Sequence, residues 1–275
     1  MKLLYLDCFS GISGDMTIGA LLDAGADFEL LKKELKKLKF EDEYELKVNK
    51  VNKNGITATK FDVILTQEDH HHSHVHESHE HHTHDGVDEH TQDHTHTHSH
   101  GHGHHHHRSY RDIVQMITNS DLSQKVKDMS LRIFKKIGEA EGRIHGMPLE
   151  DVHFHEVGAV DSIIDIVGTA ILIEQLEIDE VKSASVPTGS GNIHIDHGVY
   201  PIPAPATLDI LRGVPIAASD LKVELTTPTG AGIAAVLANE FCSFPPIKVK
   251  EIGYGAGTKT FPHHPNVLRV VIGEL

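Results

Sequence analysis

The chain has 275 residues, room for one large or two small domains, with 39% hydrophobic residues and a formal net charge of −15. That charge argues against a nucleic-acid binder, which needs a basic face, and favours cations as partners. Two cysteines, Cys8 and Cys242, are too few for a disulfide framework, and no apolar run approaches the ~18 residues of a membrane helix. The opening Met1-Lys2-Leu3-Leu4-Tyr5-Leu6-Asp7 breaks its apolar run at Asp7, so no signal peptide is expected and the cytoplasm follows by elimination.

In chain order, residues 2–7 read as a short buried strand. Ser10-Gly11-Ile12-Ser13-Gly14-Asp15 is a tight turn, and Ser13 or Asp15 caps a helix that runs through Leu22 and stops at Gly25. Residues 28–38 form an amphipathic helix with Leu30, Leu31, Leu35 and Leu38 on one stripe. Residues 44–51 and 56–65 read as strands around Asn54-Gly55, a strong hairpin signal. Helices are expected at 111–118, 122–144, 159–176, 204–211 and from Thr226-Thr227-Pro228-Thr229-Gly230 to Ala238. Strands are expected at 152–155, 181–186, 247–254 and 267–272, with a Gly- and Pro-rich loop over 187–201. Strands alternating with helices argue an α/β or α+β fold, a mixed sheet with flanking helices and no internal repeat.

Between these elements lies a segment of different composition. Nineteen of the 26 histidines fall between His70 and His107, and residues 67–107 carry eight acids and no Lys or Arg. Nothing there repays the entropy of ordering, so a disordered His-rich insertion is expected, dividing one domain into 1–66 and 108–275. Neutral imidazole binds nickel, copper, zinc and cobalt, and a flexible run holds several ions weakly. His70, His72, His104 and His106 are representative ligands. An affinity tag and functionless low-complexity drift are the bland alternatives; a tag is terminal and uniform, unlike this acid-laced tract.

Four stretches outside the insertion carry chemistry. In Asp7-Cys8-Phe9-Ser10-Gly11-Ile12-Ser13-Gly14-Asp15, two acids flank small residues between strand and helix, placing Asp7 and Asp15 near one cleft as metal ligands. Backbone amides near Ser10, Gly11 and Gly14 are candidates for an anion; a merely capped turn explains the same pattern. In the second stretch, His153 and His155 alternate on one face, and Asp161 and Asp165 share a helix face four residues apart. With Glu156, this cluster suits a divalent metal or a general base, whereas a helix-dipole effect alone explains Asp161 but not Asp165. The third, Thr188 to Gly198, offers Thr188, Gly189 and Gly191 to a ligand, with His194 and His197 as ligands or phosphate contacts. The fourth, around Thr226, Thr229 and Gly230, is an anion cradle without the lysine of a P-loop. Gly253-Tyr254-Gly255-Ala256-Gly257 echoes a nucleotide-binding glycine pattern but opens no helix.

The segments LYLDCFSGISGDMTIGALLDAG, VHFHEVGAVDSIIDIVGTA, VPTGSGNIHIDHGVYPIPAPAT, ELTTPTGA and GYGAG, in this order, resemble the nickel-insertion proteins of the LarC type. The internal His-rich insertion is similar too. The resemblance implies insertion of nickel into a thiolated pyridinium mononucleotide, pyridinium-3,5-bisthiocarboxylic acid mononucleotide, giving the nickel-pincer nucleotide of lactate racemase. It implies a lyase-class enzyme that uses CTP and Mn2+ or Mg2+, a C-terminal polypeptide or fused domain linked to nucleotide binding, and the lactate racemase apoprotein downstream. A homo-oligomer is also compatible. Forming a carbon–nickel bond requires a base for the ring proton, for which His155, Glu156 and Asp161 are the candidates, and the substrate phosphate is assigned to the Gly/Thr loops. Two competing readings are a nickel or zinc storage or delivery protein without catalysis, and a divalent-metal-dependent nucleotide hydrolase.

Overall fold

Leu3, Leu4, Tyr5 and Leu6 are all buried, as in a strand covered on both faces of its sheet. They form β1 (Lys2–Asp7) in a computed structural model that describes residues 1–66, 108–154, 159–195 and 198–274. The chain continues through α1 (Gly14–Asp23), α2 (Phe28–Leu35), β2 (Tyr44–Lys53) and β3 (Ile56–Leu65). After the insertion come α3 (Tyr110–Thr118), α4 (Gln124–His145), α5 (Val160–Gln175), β4 (Glu180–Ser183) and β5 (Val186–Pro187). Then follow β6 (Asn192–Ile195), β7 (Gly198–Pro201), α6 (Pro205–Ile210), β8 (Ile216–Ala217), α7 (Pro228–Leu237), β9 (Glu240–Phe241), β10 (Lys248–Ala256) and β11 (Val267–Glu274).

Seven strands form one mixed sheet in the order β2-β3-β10-β11-β1-β4-β9. β1 pairs antiparallel with β11 and parallel with β4. Strands from both sides of residues 67–107 therefore share one sheet, and α1, α2, α4 and α5 share one hydrophobic core. Among the described residues no helix is long and apolar enough to cross a membrane. The expected class, a mixed sheet with flanking helices, holds.

Local chemistry explains most elements. Ser13, Asp27, Ser109 and Ser123 cap α1, α2, α3 and α4 through their side-chain oxygens, and Ser109 with Asp112 completes a capping box. At Asn54 and Gly55, φ values of 50° and 87° make the left-handed turn that joins β2 to β3. The Gly253/Gly255 repeat serves packing. A Cβ on Gly255 would stand 1.8 Å from the Met16 carbonyl oxygen, and one on Gly253 2.0 Å from that of Ala20. These glycines let α1 lie directly on β10.

Three expectations change. Residues 187–201 are not a plain loop, because β6 and β7 pair antiparallel from Asn192↔Pro201 to Ile195↔Gly198. The glycines and prolines around that hairpin hide its short alternating strands. Residues 181–186 divide into β4 and β5, which pair with different strands, β1 and β8. The strand expected at 152–155 reduces to one bridge between His153 and Ser109, with His155 outside the described residues.

Candidate functional site

The N-termini of α1, α5 and α7 meet beside the middle of β3 around a cavity of about 470 Å³. α1 contributes Ser13 and Asp15, α5 contributes Asp161, Ser162 and Asp165, and α7 contributes Thr227, Pro228 and Thr229. Lys60 and Asp62 enter from β3, with Ile193, Glu224 and Thr258 at the remaining walls. Among the described residues this lining carries five acids against one lysine.

Asp165 lies closest in. A Cβ on Gly14 would stand 2.3 Å from the Asp165 Cβ, so only glycine lets the carboxyl seat against the start of α1. Asp165 Oδ1 is buried and has no hydrogen-bond partner. Burial first, then the neighbouring Asp15 and Asp161 carboxylates, pushes its pKa well above the usual carboxylate range. Asp161 keeps an exposed surface, yet the protein mass around it raises its pKa too. The Ser162 N–H, 2.8 Å from Asp161 Oδ1, opposes that rise by favouring the charged form.

Lys60 answers the acids. Its ammonium donates to Asp15 Oδ2 at 2.8 Å, to the Phe61 carbonyl at 2.9 Å, and pairs with Asp62 Oδ1 at 2.9 Å. Burial alone would lower the Lys60 pKa, but Asp15 and Asp62 outweigh it and hold it above the ordinary lysine value. Ser13 also hydrogen-bonds the Asp15 carboxylate. Among the described residues no three His, Cys, Asp or Glu side chains are arranged to hold a metal ion.

The structure thus brings Asp15, Asp161, Asp165 and Thr229 together, with Gly14 against Asp165, and places several other described candidates elsewhere. Asp7 does not line the cavity; it is ion-paired with Arg269, whose Nε lies 2.8 Å from Asp7 Oδ2 on the adjacent β11. His153 is exposed, next to Ser109. Ser10 is buried and donates to the Pro265 carbonyl at 2.6 Å, with His264 Nε2 at 2.7 Å. Thr226 is buried and donates to the Pro187 carbonyl at 2.7 Å, and buried Thr188 donates to the Gly189 carbonyl. His155, Glu156, His197, His70, His72, His104 and His106 lie outside the described residues.

Most of the glycines join loop to loop. A Cβ on Gly11 would meet the Leu225 carbonyl oxygen at 2.0 Å, on Gly189 that of Val223 at 1.8 Å, and on Gly230 that of Ile12 at 1.9 Å. Thr227 N–H donates to the Ile12 carbonyl at 3.2 Å and Leu225 N–H to that of Thr188 at 3.1 Å. At Gly191, with φ of 99°, an added Cβ would stand 3.7 Å from the Lys222 carbonyl oxygen, an ordinary contact. Three loops distant in sequence interlock behind the cavity and fix its helix starts.

Sequence reasoning missed Lys60 and Asp62. The available signal was their alternation on one face of β3, around the buried Phe61. A lysine inside a well-formed strand is costly to bury unless it is paired.

A family model described as nickel insertion protein matches residues 4–275. The chain belongs to the nickel insertion protein family. A relative from Geobacillus kaustophilus (strain HTA426), named pyridinium-3,5-bisthiocarboxylic acid mononucleotide nickel insertion protein, is 53% identical over 100% of this chain and 60% of its own length. Relatives of the same name from Clostridium kluyveri and Staphylococcus epidermidis (strain ATCC 35984) are each 46% identical, over 100% and 98% of this chain and 62% and 59% of their own lengths. The chain therefore spans about 60% of the family members it matches. No solved structure matches it.

Proposed function

We propose that this chain supplies the insertion chamber of a nickel cyclometallase. Nickel is the substrate, delivered into pyridinium-3,5-bisthiocarboxylic acid mononucleotide to make the nickel-pincer nucleotide of lactate racemase. Family membership supports the chemistry. The observation that carries the assignment to this cavity is the convergence of Asp15, Asp161 and Asp165 at helix starts, with Asp161 open to solvent and its basicity raised.

The reaction makes two nickel–sulfur bonds and one nickel–carbon bond. The carbon surrenders a ring proton while its electron pair goes to nickel, so a base must stand beside the ring. Asp161 is that base in this reading, with His155 and Glu156 as further candidates close before it in sequence. Thr227 and Thr229, 2.9 Å apart through their hydroxyls, present polar groups to the substrate. The Gly/Thr loops contribute by holding α1 and α7 in place. Nickel accepts both imidazole and thiocarboxylate donors, which permits transfer from the histidine-rich segment to the substrate.

The reading includes CTP, Mn2+ or Mg2+, a C-terminal family part linked to nucleotide binding, the lactate racemase apoprotein downstream, the lyase class, a cytoplasmic setting and compatibility with a homo-oligomer. For the divalent ion, the cavity's oxygen donors fit: such ions take one or two carboxylates and complete their shell with water and substrate phosphate. The orphaned Asp165 Oδ1 is a group that a cation would satisfy. When bound, the ion neutralises charge between carboxylates and phosphate.

The test incubates this chain, with and without the C-terminal part, with thiolated substrate, nickel, Mn2+ and CTP, and follows nickel entry by mass spectrometry. Asp161→Ala and His155→Ala variants that fold are expected to lose at least about a hundredfold in insertion rate, the usual scale of a general base. Full activity in both would overturn the assignment.

A further inference from the structure

Among the described residues the cavity lining carries five acids and one cation, Lys60, and the state of that cation bears on what else can enter. All three protons of the Lys60 ammonium are directed at oxygen: inward to Asp15, outward to Asp62, and to its own strand at the Phe61 carbonyl. The Lys60 side chain is 12% exposed, whereas Asp62 is 41% exposed. Asp62 thus offers the ammonium a partner nearer solvent on the same face of β3. Behind the inner partner, Asp165 Oδ1 is buried without any hydrogen bond.

The helix starts do not make this a direct anion site. Asp15 and Asp161 already occupy the first turns of α1 and α5, the Ser162 N–H is taken by Asp161, and the Gly230 N–H by Thr227 Oγ1. Helix amides here steady carboxylates, and the carboxylates face a cavity wide enough for a hydrated ion.

We propose that the Lys60 ammonium is the placeholder of a divalent-cation site. The cation docks between Asp15 and Asp165, leaving Asp161 free as the base, when Lys60 gives up Asp15 and keeps Asp62. The site takes a hard cation through oxygen, alone or carrying a phosphate. This rests on the cavity being the working chamber, but its test reads cation binding rather than insertion, so either reading can fail without the other.

Mn2+ is the suitable probe, because it prefers carboxylate to imidazole and the histidine-rich segment contributes little to its binding. The full chain and its Lys60→Met, Asp62→Asn and Asp165→Asn variants are titrated with Mn2+, and the free ion is read by its paramagnetic resonance. Lys60→Met is expected to tighten binding about tenfold by removing a competing charge, and Asp165→Asn to weaken it about tenfold. Asp62→Asn weakens it too, because Lys60 loses the partner to which it retreats. Thermal melting gives a second readout: Mn2+ raises the melting temperature of Lys60→Met more than that of the parent. Opposite signs for the lysine and aspartate variants support the proposal. Unchanged affinity in Lys60→Met, or in Asp165→Asn, overturns it. Should Lys60→Met not fold, Asp62→Asn and Asp165→Asn decide: weakening in both supports the site, and parental affinity in either overturns it.

Discussion

At Asp165, function and stability pull in opposite directions. Its folded pKa is raised, so the protein binds a proton there that the unfolded chain releases near the ordinary carboxylate value. The stabilisation is fully present below that ordinary value and is lost as pH rises through the raised one. Above the ordinary carboxylate range, keeping or losing that proton costs the folded state stability, a cost that Asp165→Asn removes. That variant is expected to melt a few degrees higher than the parent near pH 7, with the gap closing as pH falls towards 4, as calorimetry across pH would show. An unchanged or lower melting temperature at pH 7 would contradict the strain assigned to this carboxyl. Cys8 makes a contrasting case. Burial pushes its thiol up to about 12, so it should resist alkylation at pH 8 in the native protein, while half-buried Cys242 reacts first; peptide mass spectrometry reads both. Asp15, Asp161 and Asp165 were legible as candidates from spacing. Lys60 was not, because its partner Asp15 lies 45 residues away.

Elements were legible where their signals are local. The caps at Ser13, Asp27, Ser109 and Ser123 and the Asn54-Gly55 turn announce their helices and hairpin through backbone chemistry within a few residues. Ser109→Ala should cost about 1 kcal/mol in urea unfolding, since it removes a capping box. Glycines behaved differently. Their sequence pattern suggested ligand contact, but Gly11, Gly189 and Gly230 are pressed against carbonyls of other loops. Gly230→Ala is therefore expected to destabilise by about 3 kcal/mol even without substrate, as unfolding in denaturant would report. A parental midpoint would place the glycine in ligand contact instead. The β6–β7 hairpin escaped notice because four-residue strands amid Gly and Pro carry too little periodicity.

For the whole molecule, the proposal is that residues 67–107 interrupt one domain and serve as a metal store. The parts before and after that segment share the sheet through β1–β4 and β3–β10 pairing. Arg108, just after it, is ion-paired with Glu43 at 2.5 Å, which anchors the return of the chain. Deleting residues 68–107 should leave the circular dichroism spectrum and cooperative melting of the fold intact. Insertion should then fall only when nickel is scarce and recover at saturating nickel; loss at saturating nickel would make the segment part of the catalytic apparatus. By itself the sequence carried the family resemblance, the presence and caps of the main helices and the acids of α1 and α5, because motifs, caps and helical spacing act over a few residues. Only the tertiary structure decided that Asp7 belongs to Arg269, that the glycines lock loops together, and that Lys60 sits among the acids. Those choices depend on which distant strands pair and which helix starts converge, and short-range periodicity carries no record of them.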